Sequence, residues 1–183
     1  MNNKVKLMNS QKVYSGNISL RLDKFKLNSK IIEKEIVEHL PSIGIIPVLN
    51  NSDILFVTQY RHAVGKNILE IPAGKIEKDE TPEQAALREM EEEIGYTGKL
   101  SPVMQWYLAP GYDTELMHIY IATNLKKVKK RAQDLDDDEN IVVKRMKFSS
   151  AIKKCINGEF QDAKTVAALL VYAKTLEIEG IST

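Results

Sequence analysis

Cysteine is nearly absent from this chain: Cys155 is the only one in 183 residues. That excludes an internal disulfide and fits a reducing cytosol. Charge of one sign is not in excess either. The 26 Lys and Arg stand against 25 Asp and Glu, a formal net charge of +1. Such a balance gives no electrostatic reason for a nucleic-acid or membrane partner. No apolar run reaches the length of about 18 residues that a membrane helix needs. Met1-Asn2-Asn3-Lys4 does not open a signal peptide. The expectation is a soluble, cytoplasmic protein. Internal repeats and linkers rich in Pro, Gly or Ser are missing too. His39, His62 and His118 have no Cys or His at metal-ligand spacing. Ser149-Ser150 lacks the glycine-flanked turn of a serine nucleophile. Cys155 falls in a predicted amphipathic helix, where packing accounts for it. The basic run Lys126 to Arg131 is short, has no interleaved aromatics and leads into acids. It reads as a solvated loop, not as a nucleic-acid patch. What the chain does have is core: 43% of its residues are hydrophobic, in 20.7 kDa. That suits one domain with room for a small accessory piece.

The densest pattern is Gly74 to Tyr96, GKIEKDETPEQAALREMEEEIGY. Thr81 is a good N-cap, Pro82 suits the first helical position, and Gln84 completes a capping box. Gly95 supplies a left-handed terminator. The spacing predicts a helix from about Pro82 to Ile94. Ala86, Leu87, Met90 and Ile94 fall on one apolar arc. Glu89, Glu92 and Glu93 fall on the adjacent arc, where like charges at i,i+4 repel. A hard divalent cation relieves that repulsion, since Mg²⁺ takes carboxylate oxygens together with substrate phosphates. On spacing alone a solvated acidic face is an equal alternative.

The remaining elements follow from alternation and turn residues. Val13-Tyr14, Ile18 to Leu22 and Ile31 to Val37 read as three short strands with no core of their own. Ile43 to Leu49 and Ile54 to Tyr60 flank a hairpin turn at Asn50-Asn51-Ser52-Asp53. Ile68 to Ile71 is a short strand, and Pro72-Ala73-Gly74 turns the chain into the acidic helix. Met104 to Leu108 and Leu116 to Ala122 read as core strands, with a Pro110-Gly111 loop between them. Lys126 to Asp138 is a long polar loop, and Ile141 to Phe148 is a strand. Ser149 or Ser150 caps a short helix ending at Gly158. A last helix runs from about Ala163 to Leu176, with Val166, Leu169, Leu170 and Ala173 as its apolar face. The expected architecture is α/β (α+β), a mixed sheet sandwiched between helices. Residues 1–40 form a small N-terminal β region and residues 41–183 the main domain.

The Gly74–Tyr96 pattern resembles the Nudix box, the signature of enzymes that hydrolyse nucleoside diphosphates linked to another moiety. All its defining polar and glycine positions are present; Tyr96 stands where an aliphatic residue is usual. The resemblance implies the Nudix fold. It implies Glu89, Glu92, Glu93 and the Ala73 carbonyl as ligands of Mg²⁺, with Mn²⁺ as a substitute. Arg88 would hold Glu80 and the glutamates by charge-assisted hydrogen bonds. A general base is implied on the acidic loop, which carries Asp137 and Glu139. Glu38-His39, Arg61, Leu69 to Gly74, Pro110-Gly111 with Glu115, and Asp162-Ala163-Lys164-Thr165 are similar to the ADP-ribose pyrophosphatase branch.

That branch implies Mg²⁺-dependent hydrolysis of ADP-ribose to AMP and ribose 5-phosphate. It also implies a homodimer whose N-terminal strands cross to the partner. Arg61 would fork onto the phosphates, and Glu70 and Glu115 would accept ribose or adenine hydrogen bonds. Where some relatives hold the adenine between an aromatic side chain and an arginine, this chain has Asn17 and Lys34. Lysine stacks less well than a guanidinium, which weakens adenine selection. Three alternatives remain open: another nucleoside-diphosphate-sugar such as a GDP-sugar as substrate, a non-catalytic module that binds ADP-ribose, and an RNA-end pyrophosphohydrolase. The retained glutamates speak against the second and the neutral charge against the third.

Overall fold

The computed structural model describes residues 5–50, 52–128 and 141–180. Asp137 and Glu139 lie outside the described residues. The chain divides into two compact units, Met1–Ser42 with Gln105–Met117, and Ile43–Met104 with His118–Thr183.

In the first unit, β1 (Val5–Ser15), β2 (Ser19–Leu27) and β3 (Lys30–Glu38) form an antiparallel sheet in that order. β1 is much longer than the Val13-Tyr14 expected from alternation. Its pairing shifts register between Leu7 and Asn9 and again between Lys12 and Tyr14. Each shift resets which side chains share a face, so no single period of two survives in the sequence. The segment before Leu116 is stitched to the end of β3. Val37 N–H donates to Tyr112 O at 2.7 Å, and Thr114 N–H donates to Val37 O at 3.1 Å. His39 N–H donates to the Thr114 hydroxyl at 3.0 Å.

The second sheet has β4 (Ser42–Leu49), β5 (Asp53–Arg61), β6 (Lys66–Glu70), β7 (Ala73–Lys75), β8 (Tyr96–Tyr107), β9 (Leu116–Lys127) and β10 (Val142–Lys147). The main order is β10-β5-β4-β9-β8, with β6 on β5 and β7 on β4. The β4–β5 hairpin pairs Val48 with Ile54 and Leu49 with Asp53, around Asn50 at φ 50°. β5 is buried on both faces, which is why it reads as a continuous apolar run. Leu55 and Val57 face a cluster with Ile43, Ile45, Ala85, Ala86, Met90 and Ile94. The Phe56 ring instead meets Phe160, with centroids 5.4 Å apart.

α1 (Pro82–Glu89) covers the first of these faces, and α2 (Phe148–Ile156) and α3 (Ala163–Ile178) pack on each other. The sheet between helices is the expected architecture.

Four local expectations change. The strand expected over Met104 to Leu108 begins at Tyr96 and is not core: Met104 and Tyr107 are exposed. Gly98 and Pro102 hide its start in the sequence, and both are tolerated because β8 is an edge strand. A Cβ on Gly98 would sit 2.7 Å from Thr123 O, so close strand approach needs glycine there. The Pro72-Ala73-Gly74 turn opens directly into β7. α2 begins at Phe148 with no side-chain cap from Ser149 or Ser150. Phe148 N–H donates instead to Ser52 O at 2.8 Å, so tertiary contact satisfies that donor. The buried face of α3 is Thr165, Ala168 and Leu169, while Leu170 is exposed. The Thr165 hydroxyl turns that face inward, as the site geometry explains.

Candidate active site

Local sequence builds the acidic helix as capping rules require. Gln84 N–H donates to the Thr81 hydroxyl, and Thr81 N–H donates to Gln84 Oε1. After Glu89 the helix widens into a π turn, Met90–Ile94, closed by Gly95 at φ 71° donating to Met90 O. π turns recur at functional sites because they re-aim side chains without ending the helix. Here Glu93 points into the protein and is only 4% exposed. Its Oε2 accepts Ala73 N–H at 3.1 Å. Sequence periodicity gave no sign of this turn.

Arg88 gathers the remaining carboxylates. Its Nε and Nη2 donate to the two Glu80 oxygens at 2.9 and 3.0 Å. Nη1 donates to Glu89 Oε1 at 2.8 Å and to Glu92 Oε2 at 3.0 Å. Nη2 also reaches Lys75 O at 3.0 Å. The Glu80 bonds, more than the charges of Glu89, raise the guanidinium pKa above its usual range despite burial. The same bonds, against a smaller opposing effect of burial, lower the Glu80 carboxyl. Gly74 lies beneath this group. A Cβ there would sit 1.9 Å from Glu89 Oε1, so only glycine lets the carboxylate lie across the chain.

Among the described residues no set of three or more His, Cys, Asp or Glu is already drawn together as around a metal. The donor chemistry nevertheless fits a hard divalent cation. Glu89, Glu92, Glu93 and the Ala73 carbonyl offer oxygen and neither nitrogen nor sulfur. Ala73 and Glu93 are already joined by a hydrogen bond, and Glu89 and Glu92 share one arginine nitrogen.

A second polar cluster lies at the end of β5 and β6. Arg61 Nε and Nη2 donate to the two Glu70 oxygens at 2.8 and 2.7 Å. Lys164 Nζ donates to Glu70 as well and pairs with Asp162 at 2.9 Å. Burial alone would push the Glu70 carboxyl up; the Arg61 bonds and the Lys164 charge outweigh it and hold it low. Asp162 caps α3, accepting Thr165 N–H at 3.0 Å. Thr165 Oγ1 in turn accepts Ile71 N–H at 2.8 Å. Glu70, expected to meet the sugar or base, is 2% exposed with both oxygens engaged. The Arg61 fork is likewise turned onto Glu70, leaving Nη1 outside these bonds. The sequence pattern does not by itself mark Lys164 as a site residue. Its signal is its place in Asp162-Ala163-Lys164-Thr165, a helix cap carrying a cation.

Lys34 and Glu115 belong to the first unit. Lys34 is exposed on β3, paired across the strands with Asp23. Glu115 accepts the Ser42 hydroxyl at 2.6 Å and lies 3.6 Å from His39 Nδ1.

An arginine-bound, oxygen-rich carboxylate helix on an α/β scaffold defines a candidate cation site beside a glycine-tight lead-in. The NUDIX domain family profile matches residues 38–169. ADP-ribose pyrophosphatase of Bacillus subtilis (strain 168) is 36% identical over 167 residues, covering 90% of each chain. Methanol dehydrogenase activator of Bacillus methanolicus is 36% identical over 170 residues, again covering 90% of each. The crystal structure of an ADP compounds hydrolase matches with a TM-score of 0.84, over 98% of this chain and 97% of its own. At 20% identity that match establishes the fold. The chain belongs to the Nudix family.

Proposed function

We propose that this protein hydrolyses the diphosphate of ADP-ribose to AMP and ribose 5-phosphate, with Mg²⁺ as cofactor. The observation that carries the reading is the Arg88-held carboxylate group facing Ala73 and Gly74, in a chain 36% identical to an ADP-ribose pyrophosphatase. Glu89, Glu92, Glu93 and the Ala73 carbonyl would hold the cation. Bound there, it would neutralise charge on the diphosphate and lower the pKa of a coordinated water. Arg88 restrains Glu89 and Glu92 on one side of the group. Arg61, 41% exposed, would reach a phosphate oxygen through the guanidinium nitrogen left outside its Glu70 bonds, while Glu70 fixes the guanidinium plane. Glu139, with Asp137 as its rival, would take the proton from the attacking water. The N-terminal sheet supports a homodimer. β1 is exposed along its length, including Leu7, Met8, Val13 and Tyr14. The single free Cys155 is consistent with a reducing cytoplasm.

The test is product analysis with ADP-ribose and a panel including GDP-mannose, in Mg²⁺ and in Mn²⁺. AMP and ribose 5-phosphate in equal amounts are expected. A preference for the GDP-sugar would transfer the reading to that substrate, and no turnover on any nucleoside-diphosphate-sugar would overturn it.

A further inference from the structure

The cluster at the start of α3 contains two cations and two anions: Arg61 and Lys164, Glu70 and Asp162. It is well buried on its inner side. The Lys164 side chain is 10% exposed and that of Glu70 3%. Replacing a buried ion pair by apolar groups is often neutral or stabilising, so such a cluster is poorly explained by stability alone. Its connections suggest another purpose. Thr165 holds Ile71, and two residues on Ala73 N–H meets Glu93. Arg61 stands in the field of both groups: its guanidinium is raised first by the Glu70 hydrogen bonds, against burial, then by the charges of Glu70, Glu93 and Asp162.

Charge counting gives Lys164 its importance. With it, the four groups sum to zero, and Arg61 shares Glu70 with a second cation. Without it, Arg61 alone faces both Glu70 and Asp162, and the cluster becomes net negative. An anionic diphosphate would then approach a site with one positive charge fewer.

We propose that Lys164 is a positioning residue for substrate affinity: by balancing Glu70 and Asp162 it leaves the Arg61 guanidinium, whose side chain is 41% exposed, electrostatically available to the diphosphate, without touching the substrate itself. This rests on the hydrolase reading of the site. Lys164 Nζ bonds Glu70 and pairs with Asp162, the groups around Arg61, so the expected effect is on binding more than on the chemical step.

The experiment compares wild type, Lys164→Met and Lys164→Arg by steady-state kinetics on ADP-ribose with Mg²⁺. It is joined by calorimetric binding of a methylene-bridged ADP-ribose analogue and by thermal unfolding. Removing one charge across a partly buried site should change affinity by about tenfold. Lys164→Met is therefore expected to raise both KM and the analogue Kd about tenfold, with kcat within about twofold. Lys164→Arg should restore both. Unchanged KM and Kd in Lys164→Met would overturn the proposal, as would a loss in kcat alone. A Lys164→Arg variant as impaired as Lys164→Met would assign the effect to packing and also overturn it. If Lys164→Met does not fold, Lys164→Gln takes its place with the same criteria. Wild type that binds the analogue but hydrolyses nothing would overturn the hydrolase reading while the Kd comparison still decides on Lys164. Wild type that binds no analogue overturns both.

Discussion

Single carboxylates in this protein differ sharply in what surrounds them, and their expected behaviour differs accordingly. Glu93 is buried and accepts Ala73 N–H, a bond a glutamine oxygen can also accept. Glu93→Gln should leave the unfolding temperature in EDTA unchanged or slightly raised, because a like charge near Glu89 is removed. On the proposed role of Glu93 as a cation ligand, hydrolysis should fall by at least about 100-fold. Wild-type turnover in that variant would remove the cluster from the cation site. For Glu139→Gln, the proposed general-base role predicts a kcat drop of about 10²–10⁴-fold with substrate Kd nearly unchanged. Should Asp137→Asn alone be crippled, the assignment moves two residues; if neither is, the base lies among the helix glutamates. Glu70 and Glu80 contribute to the pH response. Both are held below the ordinary value of 4.5, so the unfolded chain takes up their protons first. Their stabilisation is complete above that value and is lost as pH falls through the lower folded values. Urea midpoints should hold constant from pH 7 to about 5.5 and decline further down. Glu70→Gln should show a shallower decline, and an equally steep one would mean that Glu70 does not contribute.

At the scale of elements, the acidic helix was the most legible part of the chain. Thr81, Pro82, Gln84 and Gly95 act through local backbone bonds, so their pattern needs no tertiary information. Thr81→Ala should lower stability by about 1 kcal/mol, measured by chemical denaturation, with kcat unaffected. A change below about 0.3 kcal/mol would show that the cap bond is replaced by water. The π turn was not legible, because α and π turns use the same residue types. What selects it is the pull of Glu93 toward Ala73 N–H, a partner twenty residues away. The start of α2 and the buried face of α3 escaped for the same reason. One is set by Ser52 O and the other by Ile71 N–H, both distant in sequence.

For the whole molecule, the exposed N-terminal sheet carries the dimer reading. A three-stranded sheet with an exposed edge strand is marginal alone. The homodimer reading predicts a mass of twice 20.7 kDa by light scattering at micromolar concentration. Deleting residues 1–15 should shift it toward monomer and reduce activity. A fully active monomer would sink this reading. No helix among the described residues is long and apolar enough to cross a membrane.

The sequence by itself determined the glycine-to-tyrosine box, the caps of its helix, the apolar runs of β4 and β5 and hence the family, because each depends on neighbours within a few positions. Tertiary structure decided which groups those residues meet. It turned the Arg61 fork onto Glu70, brought Lys164 between Glu70 and Asp162, and set Gly74 under Glu89. Those partners are separated by up to 94 positions. Nothing local in a chain records such a pairing, since it arises only when the elements carrying the partners share a core.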